Sequence, residues 1–228
     1  MSAEAPHMRT RSGVEPDEAA GLRADAVRNR NRILEVARKL FAERGLDVPM
    51  AAVARHAGVG VATLYRRFPT RESLITEVFA DQFAACVSVV DDALADPDPW
   101  RGFCTVIERV CAMQAVDRGF SAAVVAAFPG AFDVEQERDR ALRGFAELTR
   151  RAKENGRLRA DFAQDDLTLL LMANCGIIAA TAETAPAASR RLVAYLLDGL
   201  RAVHAVPAKP LPPPVPLSLH EVFGSPRP

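Results

Sequence analysis

The sequence predicts an all-α chain, in which an N-terminal three-helix head built around a helix-turn-helix precedes a longer helical body. Three observations lead to that expectation. Hydrophobic residues make up 49% of the 228 residues while aromatics make up 6%, so the core must be assembled mainly from Ala, Leu and Val, which favours packed helices over sheets. Apolar residues recur at spacings of three and four along most of the chain, and no stretch shows the sustained alternation of a half-buried strand. Glycines and prolines interrupt these stripes at places that suit helix ends.

Residues 1–22 are small, polar and aperiodic, with Pro6 and Pro16, and read as a disordered arm. The first helix is expected over residues 25–44, with Ile33, Leu34, Ala37, Leu40 and Phe41 on one face and Gly45 ending it in a left-handed conformation. Arg28, Arg30 and Arg32 crowd its N-terminal half, where the helix dipole disfavours cations, and so hint at an outside partner. Pro49 suits the first turn of a short second helix, 49–56, whose inward residues are Met50, Val53, Ala54 and Ala57. The run Ala57-Gly58-Val59-Gly60 reads as a tight corner, in which Gly58 takes positive φ cheaply and Val59 plugs the angle between helices. A third helix, 61–68, follows at once and stops before Pro69. Two short helices meeting at a glycine corner make the helix-turn-helix.

Thr70 is expected to cap a fourth helix, with Glu72 near its positive end and Leu74, Ile75, Val78, Phe79, Phe83, Val87, Val90 and Leu94 as its stripe. At about 24 residues it would form a straight lever of roughly 36 Å between head and body. Asp96-Pro97-Asp98-Pro99 breaks it. A fifth helix, 100–118, carries Phe103, Val106, Ile107, Val110 and Met113 and is expected to end at Gly119. A short apolar piece then reaches Phe128 before the Pro129-Gly130 turn, and a helix over 134–155 follows, with the stripe Ala141, Leu142, Phe145, Leu148 and Ala152 and Gly156 as its stop.

The last two helices, 167–182 and 190–204, differ from the rest because the first is apolar nearly all round. Such a helix must be covered on both sides, either in an internal hairpin or, as we favour, at a dimer interface. Leu171 and Ile178 on the first, with Leu192, Leu196 and Leu200 on the second, are the expected interface residues. The final 22 residues hold eight of the sixteen prolines and read as an extended, disordered tail. The boundaries are therefore an arm over 1–22, a head over 23–72, a body over 73–206 and a tail over 207–228.

Charge separates head from body. The chain sums to zero, yet residues 21–72 hold eleven Lys or Arg against five acids, a net +6 that leaves −6 for the remainder. A basic module that meets a polyanion, joined to an acidic body that does not, fits that asymmetry. Cys86, Cys104, Cys111 and Cys175 lie far apart with no Cys-x-x-Cys pair, so packed thiols are expected and no metal or cofactor. Neither a signal sequence nor an apolar run of about 20 residues is visible, so a soluble cytoplasmic protein with no membrane partner is expected. The four His are scattered, and no phosphate loop or nucleophile motif appears, which argues against an enzyme.

From about residue 25 to 79 the chain resembles the DNA-binding domain of the TetR family. The likeness rests on Ile33-Leu34 and Ala37, Leu40-Phe41-Ala42-Glu43-Arg44-Gly45, Val53-Ala54-Arg55-His56-Ala57-Gly58-Val59, Thr63-Leu64-Tyr65-Arg66-Arg67-Phe68 and Thr70-Arg71-Glu72-Ser73-Leu74, in that order and spacing. The resemblance implies a cytoplasmic homodimer formed through the last two helices, with an effector pocket in the C-terminal domain. Its function would be that of a sequence-specific transcriptional regulator, a repressor released from a palindromic operator by a small molecule. A positively acting member of the family, or a DNA-binding protein without an effector, is the alternative.

The third helix would then enter the major groove of double-stranded DNA with Gly60, Val61 and Ala62 toward base edges, through thymine methyls and close backbone approach. Of Arg66 and Arg67, one would read a base and one bind phosphate, the order left open. Thr63, Tyr65 and Arg71 match family positions that hold phosphate, while the bland alternative for Thr63 and Tyr65 is packing of the head. Ala51 and Ala52 stand where relatives often carry polar groups, which shifts specificity toward the third helix and the arm. For the effector, Trp100, Phe103, Met113, Phe120, Phe128, Phe132, Phe145 and Met172 are candidate lining residues, each also readable as ordinary core. Asn174, on the most apolar helix, needs a hydrogen-bonding partner, either the ligand or its dimer mate.

Overall fold

The computed structural model describes the backbone of residues 16–126, 132–181, 184–202 and 210–214, and within these the side chains outside 16–23, 125–126 and 132–135. Ten helices succeed one another among the described residues: α1 (Pro16–Arg44), α2 (Met50–His56), α3 (Val61–Arg67), α4 (Arg71–Val78), α5 (Ala80–Leu94), α6 (Pro99–Val116), α7 (Arg118–Ala126), α8 (Phe132–Glu154), α9 (Asp166–Thr181) and α10 (Ala185–Leu200). The all-α expectation holds, and extended backbone pairs only in an isolated bridge between Leu158 and Arg201 among those residues.

α1 starts at Pro16, inside the stretch expected to be an arm. No apolar stripe marks that first part, which follows from a proline at N1 and good helix formers such as Glu18, Ala19, Ala20 and Leu22. Further along, Ile33, Ala37, Leu40 and Phe41 are buried against α2, α4 and α7, and the Gly45 N–H closes the helix on Phe41 O at 3.0 Å with φ +79°. Gly58, at φ +63°, turns the corner between α2 and α3 as expected, and half-buried Val59 packs into the head core.

The expected straight lever is broken. α4 and α5 meet at Phe79 with a bend of 60°. Their buried faces serve different cores: Leu74, Ile75 and Val78 join that of the head, while Val89, Val90 and Ala93 join that of the body. Phe79 itself is fully buried, with its ring 6.3 Å from Phe41 and 6.1 Å from Phe120. The Arg38 guanidinium donates to the Val78 carbonyl, one of those that the break leaves without a helical partner.

Gly119 does not terminate the fifth helix either. α6 ends at Asp117, whose Oδ1 accepts the Phe120 N–H at 3.0 Å and so starts α7. Gly119 lies in the first turn of α7, where a Cβ would come within 2.9 Å of the Phe79 ring and 3.3 Å of the Ala42 nitrogen. It is a residue of close approach. α7 thereby delivers Phe120 and Ala123 into the core of the head.

In the body, α5 packs on α6 and α8, while α10 packs on α6 and α9. Trp100, Phe103, Phe145 and Phe162 form the aromatic centre of this core. The two cores meet at Cys86, Met113 and Val124, each packed against both. α10 begins five residues earlier than expected, with a proline in its first turn. Residues 210–214, part of the expected disordered tail, lie without regular secondary structure, and the Leu211 N–H donates to Asp161 Oδ2 at 2.8 Å. No single helix among the described residues is long and apolar enough to cross a membrane; α4 and α5 together would pass that test but are bent apart.

Candidate DNA interface and internal cavity

The head presents α3 outward. Leu64 and the following Phe68 point into the core, so the rest of this seven-residue helix is turned away from it. Val61 is 43% exposed and Tyr65 46%, with Gly60, Ala62, Arg66 and Arg67 also exposed and Thr63 half-buried. The packing alternative fails for Tyr65, since a side chain filling the head would not be this open. Thr70 then caps α4 through a reciprocal pair, Ser73 N–H to Thr70 Oγ1 at 3.0 Å and Thr70 N–H to Ser73 Oγ at 3.2 Å.

The arginines separate into tethered and untethered. Arg67 reaches back to the Ala26 carbonyl of α1 at 3.1 Å, Arg71 pairs with Asp47 at 3.1 Å, and Arg30 pairs with Glu77 of α4. Arg28 pairs with Asp25. Arg66 makes no hydrogen bond or ion pair to a described residue. Sequence reasoning could not rank Arg66 against Arg67, because the distinction depends on which of two adjacent side chains comes back onto α1.

Below the head lies a cavity of about 530 Å³, walled by α4 to α9. Thr76 of α4 lines it, and about three turns of α5 contribute Ala80, Phe83, Ala84, Cys86, Val87, Ser88, Val90 and Asp91. Val106, Ile107 and Val110 come from α6, Val124 from α7, Glu137, Arg138, Arg140, Ala141, Leu142 and Phe145 from α8, and Leu167 and Leu171 from α9. Ala80, Ala84 and Ser88 form an exposed stripe along α5, beside exposed Glu137 and Arg140. Arg140 bridges the rim, pairing with Asp91 of α5 at 2.5 Å and with Glu137 at 3.4 Å. Burial pushes the Cys86 thiol up to about 12, so it is uncharged near neutral pH.

Of the candidate lining residues, Phe145 borders the cavity, and the others whose side chains are described fall elsewhere. Phe103 is packed in the aromatic centre, Phe120 plugs the head core, and Met113 lies at the joint between cores. Met172 packs, half-buried, against the body core, and Phe128 and the side chain of Phe132 lie outside what the structure describes. Bulky side chains fill space, whereas the cavity is bounded largely by small and aliphatic ones. The Ala80, Ala84, Ser88 spacing was the signal to look for. Asn174 is answered within its own chain on one side, where its Nδ2 donates to Gln114 Oε1 at 2.8 Å and to the Cys111 carbonyl at 3.2 Å. Its Oδ1, like the Gln114 Nε2, is buried without a hydrogen-bond partner among the described residues, so the expected need for a ligand or a dimer mate is only half met.

Two expected interface residues are likewise turned inward. Leu171 faces the cavity and Ile178 is buried beside Ala115 and Ala185. Leu192, Leu196 and Leu200 are half-buried. The outer surface of this pair is instead Leu169, Ala173, Gly176 and Ala180 on α9, with Ala194, Tyr195 and Gly199 on α10. Because α9 is apolar on every side, its sequence pattern could not say which face was inner.

One further cluster joins head to body. Arg38 of α1, besides the Val78 carbonyl, donates to Gln82 Oε1 at 3.2 Å and lies 3.5 Å from Asp117 Oδ2, which also accepts from Gln82 at 3.4 Å. Among the described residues no group of three or more His, Cys, Asp or Glu is placed to hold a metal ion.

Comparison with known proteins agrees on both halves. Residues 33–78 match the family described as bacterial regulatory proteins, tetR family, and residues 98–202 match the transcriptional regulator SbtR-like C-terminal domain. The HTH-type transcriptional regulator SAB2452 of Staphylococcus aureus is 44% identical over 54 residues, which span 23% of this chain and 29% of that protein. The TetR transcriptional regulator SCO0520 of Streptomyces coelicolor is 30% identical, with 76% of this chain and 99% of that one covered and a TM-score of 0.47. The ketosteroid transcriptional regulator KstR2 of Mycobacterium tuberculosis shares the fold at 19% identity, with a TM-score of 0.56 over 75% of this chain and 94% of that one.

Proposed function

From the premise that this chain belongs to the TetR family of DNA-binding transcriptional regulators, we propose that it is a homodimeric repressor, released from a palindromic operator when a small molecule occupies the cavity below its head. The observation that carries this reading is the position of the cavity relative to the break in α4–α5: Thr76 lines it from the head side of Phe79, and Ala80 and Phe83 from the body side.

In this reading α3 lies in the major groove, with Gly60, Val61 and Ala62 toward base edges. Arg66, the untethered arginine, reads a base, while Arg67 is held to α1 and reaches phosphate from there. Thr63, Tyr65 and Arg71 contact the backbone, helped by the amides at the start of α4. The outer faces of α9 and α10, where Gly176 and Gly199 leave room for close approach, supply the dimer contact. A ligand that favours one bend at Phe79 over another changes the separation of the two heads, and it weakens operator binding by its preference between those states and no more.

Selection of bound sequences from random duplex DNA tests the proposal. A palindrome with half-sites about 34 to 36 Å apart, or a multiple of that, is expected. Tyr65→Ala and Arg66→Ala should each weaken it by about tenfold or more, and Arg66→Ala should also relax preference at one base pair. Failure to enrich any sequence, or binding governed by salt alone, would remove the repressor reading.

A further inference from the structure

The cavity carries information about its ligand that its position does not. Two cations and two anions line it among the described residues, and none of the four is a spare charge. Arg140 is held by Asp91 and Glu137, and Arg138 lies 3.5 Å from Asp139 on its own helix. A carboxylate entering here would find the Arg140 guanidinium engaged, and an ammonium would find the same of Asp91 and Glu137. Elsewhere the described lining offers the Thr76 and Ser88 hydroxyls as side-chain hydrogen-bonding groups, together with an uncharged thiol at Cys86. The remaining walls are Ala, Val, Ile, Leu and Phe.

Size and shape follow from the same walls. A 150 Å³ apolar cavity accommodates benzene, so about 530 Å³ scales to a molecule of roughly 20 non-hydrogen atoms. The lining runs along α5 from Ala80 to Asp91, a rise of about 16 Å. We propose that the cavity selects an uncharged, elongated, largely apolar compound with one or two hydrogen-bonding groups, and that the Asp91–Arg140–Glu137 cluster at its rim discriminates against both anionic and cationic amphipaths. This rests on the reading of the cavity as the effector site.

The test uses Nile red, a neutral fluorescent probe, displaced from the full-length protein by 1-decanol, decanoate and decylammonium, which share one chain and differ in head charge. Decanol is expected to displace the probe at about tenfold lower concentration than either ion. Asp91→Asn combined with Glu137→Gln frees Arg140 and should improve decanoate by about fivefold to tenfold while leaving decanol unchanged. Ala84→Trp, at an exposed lining position, should abolish probe binding with the helical signal and melting temperature retained. Read as protection of Cys86 from a thiol reagent, the same ligand series needs no variant. Decanoate or decylammonium binding as tightly as decanol would overturn the proposal, as would probe binding unaffected by a folded Ala84→Trp variant. Decanol that binds the cavity without weakening operator binding would leave the ligand class standing and overturn the effector reading instead.

Discussion

The head fills its interior and the body does not. In the head, Val53, Ala54, Leu64, Leu74 and Ile75 are wholly enclosed and Phe79 and Phe120 close the remaining gap, while in the body α5, α6, α8 and α9 stand around about 530 Å³ of space. The contrast matches what each part is asked to do. A reading head must hold one surface rigid, so close packing serves it. A receptor must leave room, and it gives up dispersion contacts along the cavity walls that a bound molecule can restore.

Equal truncations in the two regions should sharpen that contrast most. Leu64→Ala empties a filled site and should destabilise the protein by about 3 kcal/mol, with operator binding lost as α3 loosens. Leu171→Ala removes atoms that already face open space, and about 1 to 2 kcal/mol is expected. Chemical denaturation of both variants measures the difference, and equal losses would break the comparison.

A smaller effect is expected where the regions join. Arg38→Gln removes the contacts to the Val78 carbonyl and Asp117 and should lower stability by about 1 kcal/mol, a figure held down by the partial exposure of Arg38. Its sharper consequence should be functional. If the cluster ties the bend to the body, ligand would change operator affinity several-fold less in the variant than in wild type, and an undiminished response would show that the coupling runs elsewhere.

Cys86 offers a chemical readout of the cavity wall. Its thiol, pushed up to about 12 by burial, should react slowly with a thiol reagent at pH 8, and site-resolved labelling should still be accelerating at pH 10. Fast labelling at pH 8 would mean that the wall opens more readily than its packing implies.

The least effect is expected on the outer face of α8, where Arg150 and Arg151 hold the Glu147 carboxyl down to about 2. With its folded value below the unfolded one of 4.5, the favourable contribution is present above about pH 4.5 and is lost as pH falls through about 2. Glu147 is solvated, so Glu147→Gln should shift the melting temperature only marginally at pH 7, and the shift should vanish toward pH 2.

The head was more legible in the sequence than the body, for identifiable reasons. Gly58, Pro69 and Thr70 are local signals that act on their own neighbours, and the corner, the end of α3 and the cap on α4 appear where they put them. The break at Phe79 has no such signal, because the apolar stripe runs through it without a Pro or Gly and only the separation of two cores requires the bend. Gly119 misled for the opposite reason. It looks like a terminator, but its lack of a side chain serves a contact with Phe79, forty residues away in sequence. Of the cavity only Phe145 was legible, because bulky residues attract notice, whereas space is left by Ala80, Ala84 and Ala141.

Phe120 and Ala123 come from α7, yet they finish the interior of the head. Cutting the chain at residue 72, where the sequence places the end of the head, would therefore expose apolar surface that nothing within the head can replace. Heat should melt head and body in a single cooperative transition. Any compound that raises the melting point of the body would raise that of the DNA-reading surface with it, so a thermal-shift screen would detect cavity ligands even while they loosen the grip on the operator.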